Sequence, residues 1–270
     1  MGNILADEGR AVAGAAAAGG APGAAAFRLE KRTHLHKSGF RGCFVDYGGG
    51  LAEVGFGFSS AVRRDKGQRG KSENREANEE RALRRARTRL RRLVLASGAS
   101  YLLTLTYREN VTDFDRASED LRVFLRFVKR AYPKYAYIAV AERQKRGAWH
   151  WHLAVCGWQD LAFLRSTWLR VVGDGNIDVS PPRGSGDRRL ALVRYLSKYL
   201  SKGFAEEHVF NGRRFRASHR IAVPERKYYI PARSFEQAKA YCEDWLRRTG
   251  KQVGFFVSCA QTWSGWGCSW

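Results

Sequence analysis

The sequence predicts an α+β protein with a central, mainly antiparallel sheet and flanking helices. Short runs rich in Val, Ile, Tyr and Thr alternate with segments of helical periodicity between residues 100 and 204. Two of these runs, residues 134–142 and 148–156, are separated only by "RQKRG", the length of a hairpin connection. Strands that alternate with helices but also pair through a hairpin are typical of an α+β fold rather than of a parallel sheet.

The predicted elements of this region follow the order βαββαβα. The strands are "SYLLTLTY" (100–107), "KYAYIAVAE" (134–142), "AWHWHLAVC" (148–156) and "GNIDVS" (175–180). The helices are "DLRVFLRFVKRAYP" (120–133), "DLAFLRSTWLRVV" (160–172) and the helix that contains "VRYLSKYLSKG" (193–203).

Composition divides the rest of the chain. Residues 1–26 predict a disordered Ala/Gly tail, because Asp7 and Glu8 stand where a signal peptide has basic residues, and Gly and Pro interrupt the apolar run. Residues 27–72 are predicted to form an irregular Gly- and aromatic-rich segment. Residues 73–204 are predicted to form the α+β domain with a preceding Arg-rich helix. Residues 205–270 predict a basic C-terminal extension, for DNA binding or structure, with a helix over 234–248.

The charge of the chain predicts a polyanionic partner. The 48 Lys and Arg residues against 26 Asp and Glu give a formal net charge of +22, and DNA or RNA is the commonest partner of such a protein. No membrane partner is expected. The five Cys residues are odd in number and lack CxxC spacing, which favours a reducing, cytoplasmic compartment.

An Arg-rich helix precedes the first predicted strand. Seven of the twelve residues 81–92 are Arg, while the apolar residues of this segment follow a helical period. The helix therefore predicts a phosphate-binding face, and a second basic region follows the last helix of the domain. The candidate nucleic-acid-binding residues are Arg84, Arg85, Arg89 and Arg92, followed by Arg213, Arg214, Arg216, Arg220, Arg226 and Lys227.

The strand "AWHWHLAVC" carries two histidines on one face. Because strand side chains alternate, His150 and His152 point the same way, and a hairpin can bring Glu142 beside them. Two imidazoles and a carboxylate predict a site for a divalent cation, Mg²⁺ or Mn²⁺. Gln144 is an alternative third ligand, and two hydrogen-bonded structural histidines are the alternative to a metal site. A second pair, in "THLHK", has no preceding carboxylate strand and is not expected to bind a metal.

The helix "VRYLSKYLSKG" repeats Tyr-Leu-Ser-Lys. Residues four apart are neighbours on a helix, so Tyr195 and Tyr199 lie on one face, with Lys198 and Lys202 beside them. By themselves these residues favour an amphipathic helix with packed tyrosines and solvated lysines.

Three motifs in order resemble those of the HUH endonucleases, and in particular the rolling-circle replication initiators (Rep proteins) of plasmids and small single-stranded DNA phages. The strand "LLTLTY" resembles their first motif, "AERQKRGAWHWHLAV" their metal-binding motif, and "YLSKYLSK" their catalytic helix in its two-tyrosine form. The resemblance extends from about residue 73 to about residue 204. It implies the nuclease fold of this superfamily.

The resemblance also implies an activity. A tyrosine hydroxyl would attack a phosphate of single-stranded DNA at a replication origin, leaving a 5′-phosphotyrosine and a 3′-OH primer. His150, His152 and Glu142 would hold the metal, Tyr195 and Tyr199 would be the nucleophiles, and the two lysines would help to stabilise the phosphate. The enzyme would act in the cytoplasm of a bacterial host. Because the sequence has no phosphate-binding "GxxxxGK[ST]", a host helicase is expected beside the host polymerase.

Three alternatives remain open. The chain could be a relaxase or transposase of the same superfamily, a nuclease with one catalytic and one structural tyrosine, or a nucleic-acid-binding protein without catalysis. Thr104 and Thr106, within the first motif, are interpreted as sheet-packing residues.

Overall fold

The structure is a computed structural model of the 270-residue chain. It describes residues 27–28, 38–60, 75–157, 159–183, 186–206, 215–250, 252–261 and 264–269. These residues form two compact units. The central unit lies within Asp65–Pro224, and the terminal unit combines residues of Met1–Arg64 with residues of Glu225–Trp270.

The described residues contain eleven strands and five helices. In chain order they are β1 (Phe27–Arg28), β2 (Gly39–Asp46), β3 (Ala52–Ser59), α1 (Arg75–Ser97), β4 (Tyr101–Tyr107), α2 (Phe114–Ala131), β5 (Tyr137–Arg143), β6 (Trp149–Val155), α3 (Leu161–Val172), β7 (Gly175–Ser180), α4 (Arg188–Glu206), β8 (Arg216–Ala217), β9 (Glu225–Tyr229), α5 (Phe235–Thr249), β10 (Val253–Cys259) and β11 (Ser264–Ser269).

The central unit is built on a five-stranded antiparallel sheet. Its strand order is β7-β4-β6-β5-β8. The predicted order βαββαβα is confirmed by β4, α2, β5, β6, α3, β7 and α4, and the predicted α+β class is confirmed with it. The hairpin expected at "RQKRG" joins β5 to β6, where Gly147 adopts a positive φ of 90°.

Strand β6 is the centre of this unit, and all seven of its residues are buried. Trp151 and Leu153 belong to a core formed with α2 and α3, whereas Ala154 belongs to a second core formed with α1 and α4. Since side chains alternate along a strand, the two cores lie on opposite faces of the sheet. The Trp151 indole also donates a 3.0 Å hydrogen bond to the Ala117 carbonyl of α2, which satisfies its polar atom.

Helices α1 and α4 pack beside each other on the same face of the sheet. The predicted apolar period of α1 is confirmed, since Leu90 and Val94 are fully buried, and α4 contributes Leu192 and Leu196 to the same core. Helix α4 has its N-terminal amides capped by Asp187, which accepts a 2.7 Å hydrogen bond from the Arg189 amide. The Arg189 guanidinium binds the same carboxylate at 2.7 Å and also donates to the Leu95 carbonyl of α1 at 3.4 Å. This cluster therefore ties the start of α4 to α1.

The terminal unit contains a six-stranded antiparallel sheet and one helix. The strand order is β1-β9-β2-β3-β11-β10, and α5 packs on the sheet through a core that includes Phe44, Phe56, Cys242 and Leu246. A Cβ on Gly42 would overlap the ring of Phe44, so this position needs glycine for the ring to lie over the strand.

This unit differs from the sequence-based division of the chain. Parts of the segment predicted to be irregular form β2 and β3, and β9, β10 and β11 from the predicted extension complete the same sheet. In β2, Gly42 takes the apolar position between Phe40 and Phe44, and in β3 glycines instead of polar residues stand between the apolar ones, so the apolar/polar alternation by which a strand is recognised is weak. The helix expected over 234–248 is confirmed as α5, with Ser234 as its N-cap.

Some predicted features lie outside the described residues. They are the tail over residues 1–26, the second histidine pair in "THLHK", and Arg213 and Arg214. No helix in the described part of the chain is long and apolar enough to span a membrane.

Replacement of Asp187 by Ala should destabilise the central unit. The change removes both the cap of α4 and the ion pair with Arg189, and loss of a helix cap costs about 1 kcal/mol. Urea unfolding followed by circular dichroism measures the effect. Asp187→Asn keeps the cap oxygen without the charge and should retain most of the stability. Equal decreases in the free energy of unfolding for the two variants would show that the charge of Asp187, rather than its cap oxygen, stabilises the unit.

Candidate active site

The sheet register places the three predicted metal ligands together. Glu142 of β5 lies directly opposite His150 of β6. Its carboxylate reaches diagonally along β6, where Oε2 lies 2.8 Å from Nε2 of His152. The expected approach of the carboxylate to the histidine face is therefore present in the structure.

His150 is a buried, neutral imidazole. It is 7 % exposed, and its Nε2 has no hydrogen-bond partner among the described residues. Burial, together with the neighbouring His152, lowers the pKa of His150 from 6.5 to about 4, and the Glu142 carboxylate offsets only part of this shift. A neutral ring with a free nitrogen is the form in which histidine binds metals.

The side chains of Glu142, His150 and His152 offer oxygen and nitrogen atoms of the types that bind a divalent cation. In the structure, however, Glu142 and His152 are hydrogen-bonded to each other. Within the described ranges, no group of three or more His, Cys, Asp or Glu side chains is arranged to hold a metal ion. Glu142 Oε2 and His152 Nε2 lie 2.8 Å apart, the distance of a hydrogen bond. Cation binding would replace this hydrogen bond and would use the unpartnered Nε2 of His150.

Gln144, the alternative third ligand, lies in the turn after β5. Its side-chain oxygen accepts a 3.3 Å hydrogen bond from Arg146, and its backbone amide donates to the Ala148 carbonyl. These contacts bind Gln144 to its own hairpin, whereas Glu142 contacts a histidine directly.

Both predicted tyrosines of α4 pack against His152. The ring of Tyr199 is stacked on the imidazole with centroids 4.5 Å apart and planes 22° apart, and the ring of Tyr195 meets it edge-on at 5.3 Å. The Tyr199 hydroxyl donates to the Tyr195 hydroxyl at 3.3 Å. The helical spacing thus brings two phenol oxygens to one place beside the Glu142–His152 pair.

The two tyrosines differ in their surroundings. Tyr199 is 9 % exposed, whereas Tyr195 is half-buried. Burial raises the pKa of Tyr195 above its ordinary value of 10.0, and the Tyr199 hydroxyl and the Glu142 carboxylate raise it further. The charge of Arg183, in the loop before α4, acts in the opposite direction. The Tyr195 hydroxyl consequently keeps its proton at neutral pH.

The predicted lysines flank the tyrosines on α4. Lys198 is exposed, and its ammonium lies 5.7 Å from the centroid of the Tyr199 ring. Lys202 belongs to the same helix, but its side chain is outside the described part of the structure. A cation on the exposed side of Tyr199 is suitably placed for a phosphate that approaches the helix.

Two residues of this site were not among the predicted site residues: Thr104, interpreted from the sequence as a sheet-packing residue, and Arg183. Thr104 of β4 lies directly opposite His152, and its hydroxyl is 3.2 Å from the ring nitrogen Nδ1. Arg183 is exposed and acts electrostatically on Tyr195. Only the strand register reveals Thr104, and only the path of the β7–α4 loop reveals Arg183, so neither could be found from spacing along the chain.

The basic candidates are distributed over both units. On α1, Arg84, Arg85 and Arg89 are exposed and Arg92 is half-buried, and Arg84 forms a 3.1 Å ion pair with Glu80. Arg216 is half-buried over the Trp151 ring and donates to the Ser118 carbonyl. Among the remaining residues of the predicted second basic region, Arg220 lies in the central unit, while Arg226 and Lys227 lie on β9 of the terminal unit.

A family model matches the segment of the chain that contains the site. Residues 100–204 match the family model described as replication-associated protein ORF2/G2P. This segment covers less than half of the chain and contains Glu142, both histidines and both tyrosines. No curated protein and no solved structure matches the chain.

The imidazole of His150 should titrate near pH 4. Since its folded-state pKa lies below the unfolded value of 6.5, the unfolded chain binds the extra proton as the pH falls. The free energy of unfolding should therefore decrease as the pH falls from about 6.5 to about 4. Below about pH 4 the ionisation of His150 should cause no further decrease. NMR titration of the histidine C2 protons measures the midpoint. His150→Gln should remove this part of the pH dependence, and a midpoint near 6.5 would contradict the burial argument.

Proposed function

We propose that the central unit nicks and rejoins single-stranded DNA at a replication origin through a tyrosine nucleophile. The observation that carries the proposal is the contact of both α4 tyrosines with His152, the imidazole that is hydrogen-bonded to Glu142. The match of residues 100–204 to a replication-associated family supports a role in replication initiation. The net charge of +22 supports a nucleic-acid partner.

The chemistry is a transesterification. The phenol oxygen of Tyr195 or Tyr199 attacks the phosphorus of a DNA phosphodiester and gives up its proton to a base or solvent. The bond between phosphorus and the 3′ oxygen breaks, and that oxygen takes up a proton to become the 3′-OH primer. The 5′ phosphate remains on the tyrosine, which conserves the bond for rejoining. Attack by a 3′-OH on this phosphotyrosine reverses the step.

A bound Mg²⁺ or Mn²⁺ would supply Lewis-acid polarisation of the scissile phosphate. His150, His152 and Glu142 are the residues that would hold it. A nearby cation would also oppose the raised pKa of Tyr195 by favouring its phenolate. Lys198 and Arg183, both exposed, would bind the non-bridging phosphate oxygens as charge develops on them.

Two nucleophiles at one site suit a reaction with two cleavages. The hydroxyl oxygens of Tyr195 and Tyr199 are 3.3 Å apart, so either can reach a phosphate bound beside His152. One tyrosine would hold the strand end made at initiation, while the other would cleave the regenerated origin and allow the released strand to close. The exposed arginines of α1, which packs beside α4, would bind the flanking backbone. A host helicase and polymerase would extend the primer.

Phenylalanine variants of the tyrosines test the nucleophile. The protein is incubated with Mn²⁺ and labelled single-stranded fragments of the replicon that encodes it, and adducts that survive SDS are counted. The double variant Tyr195→Phe/Tyr199→Phe should lose adduct formation by about 10³-fold or more, because no phenol oxygen remains. DNA binding should change little, since both rings stay. Tyr132→Phe, which changes an exposed tyrosine outside the site, is the control. A full yield of adduct from the double variant would rule out these nucleophiles, and strong binding without any adduct from the wild type would favour a non-catalytic protein.

Variants of the proposed ligands test the cation. His150→Ala and Glu142→Gln should each weaken Mn²⁺ binding in calorimetry and raise the Mn²⁺ concentration needed for adduct formation, because each removes a donor atom. EDTA should abolish the adduct. The control is His219→Ala, which changes an exposed histidine away from the site. Unchanged activity of His150→Ala at limiting Mn²⁺ would exclude His150 from the ligand set.

A further inference from the structure

Thr104 is the third residue of a hydrogen-bonded chain that crosses three strands. Its hydroxyl on β4 is 3.2 Å from Nδ1 of His152 on β6, and the opposite ring nitrogen is 2.8 Å from the Glu142 carboxylate on β5. His152 is 4 % exposed, so water does not readily replace either partner. Both nitrogens of this imidazole are therefore held by protein groups.

The donors and acceptors of this chain determine where the imidazole proton lies. A carboxylate accepts only, so in the neutral ring Nε2 carries the hydrogen and donates it to Glu142. Nδ1 then has a lone pair and must accept from the Thr104 hydroxyl. If Nε2 instead gives its lone pair to a cation, the hydrogen must lie on Nδ1, which becomes a donor. The partner of Nδ1 thus has to donate in one state and accept in the other.

We propose that Thr104 is a positioning residue whose hydroxyl reverses its hydrogen-bond direction when His152 binds a divalent cation. A hydroxyl has one donor hydrogen and two acceptor lone pairs, so it can bind either tautomer of the ring without moving. It would hold the imidazole in the same orientation with and without the cation, and would remove the cost of an unpartnered Nδ1 in the bound state. This inference rests on the proposed cation site.

Thr106 provides a matched comparison on the same strand. Two residues further along β4 and on the same face, its hydroxyl donates to the Asn176 carbonyl at 3.1 Å. That contact joins β4 to β7 and involves neither histidine. Thr106→Val therefore measures the general effect of losing a threonine hydroxyl from this face. Any larger effect of Thr104→Val comes from losing the hydroxyl beside His152.

NMR of the wild-type protein tests the proposal without any substitution. Long-range ¹H–¹⁵N spectra report which imidazole nitrogen carries the hydrogen. Without a cation, His152 should be the Nε2–H tautomer, and with saturating Mg²⁺ it should be the Nδ1–H tautomer. An Nδ1–H ring in the cation-free protein, or the same tautomer in both states, would overturn the proposed reversal.

Variants at Thr104 test its contribution to cation binding. Thr104→Val removes the hydroxyl at nearly constant shape and should raise the Kd for Mn²⁺ about 10-fold or more in calorimetry, the usual effect of losing a hydrogen-bond partner of a metal-binding histidine. Thr104→Ser keeps the hydroxyl and should stay within about threefold of the wild type, as should Thr106→Val, because neither removes the partner of Nδ1. Equal Kd values for Thr104→Val and the wild type would overturn the role of Thr104.

The two arms separate this inference from the proposed function. If wild-type protein binds no Mn²⁺, the cation site fails and the reversal fails with it, while the cation-free tautomer still reports whether Thr104 donates to His152. If the wild type binds Mn²⁺ but forms no DNA adduct, the nuclease proposal fails and the Thr104 inference stands or falls on the Kd comparison alone.

Discussion

The backbone hydrogen bonds that hold β6 between β4 and β5 fix the polar contacts among Glu142, His152 and Thr104. They place His152 opposite Thr104 on one side and His150 opposite Glu142 on the other. A shift of one residue in either pairing would turn both histidines toward α2 and α3 and bring Trp151 under the tyrosines. Trp151 resists such a shift, because its buried indole fills the opposite core and donates to the Ala117 carbonyl. The tryptophan between the histidines therefore stabilises the register on which the site depends.

The site gathers polar groups where the fold would otherwise bury apolar ones. On one face of β6, Ala154 packs in the core with α4, and His152 two residues earlier packs against the tyrosines of the same helix. His150 lies on the same face of the strand. The unpartnered nitrogen of His150 costs stability, since a buried polar atom without a hydrogen bond loses its hydration. The raised pKa of Tyr195 has the same origin in burial. Both features are typical of sites where function, rather than stability, selects the residue.

The sequence allows much of this site to be predicted, because its main parts obey local periodicities. The two-residue repeat puts His150 and His152 on one face, and the four-residue repeat does the same for Tyr195 and Tyr199. The contact of Thr104 with Nδ1 of His152 could not be predicted, because the sequence does not determine the register between β4 and β6. The sheet of the terminal unit was not predicted for a related reason. It joins strands that are far apart in sequence, and glycines weaken the apolar/polar alternation in β2 and β3.

The two tyrosines share one site but not one environment. Tyr199 is nearly buried with its ring face on His152, whereas Tyr195 is half-buried and meets the edge of the imidazole. Because their hydroxyls already touch, the proposed exchange of roles between them would need no movement of α4, whose start is tied to α1 by Arg189. In the proposed chemistry a rigid helix is an advantage, since both phenol oxygens must meet phosphates bound at the same place. The contact between the hydroxyls also means that removing one oxygen changes the hydrogen bonding of the other, so the effects of single substitutions at these positions are not expected to be additive.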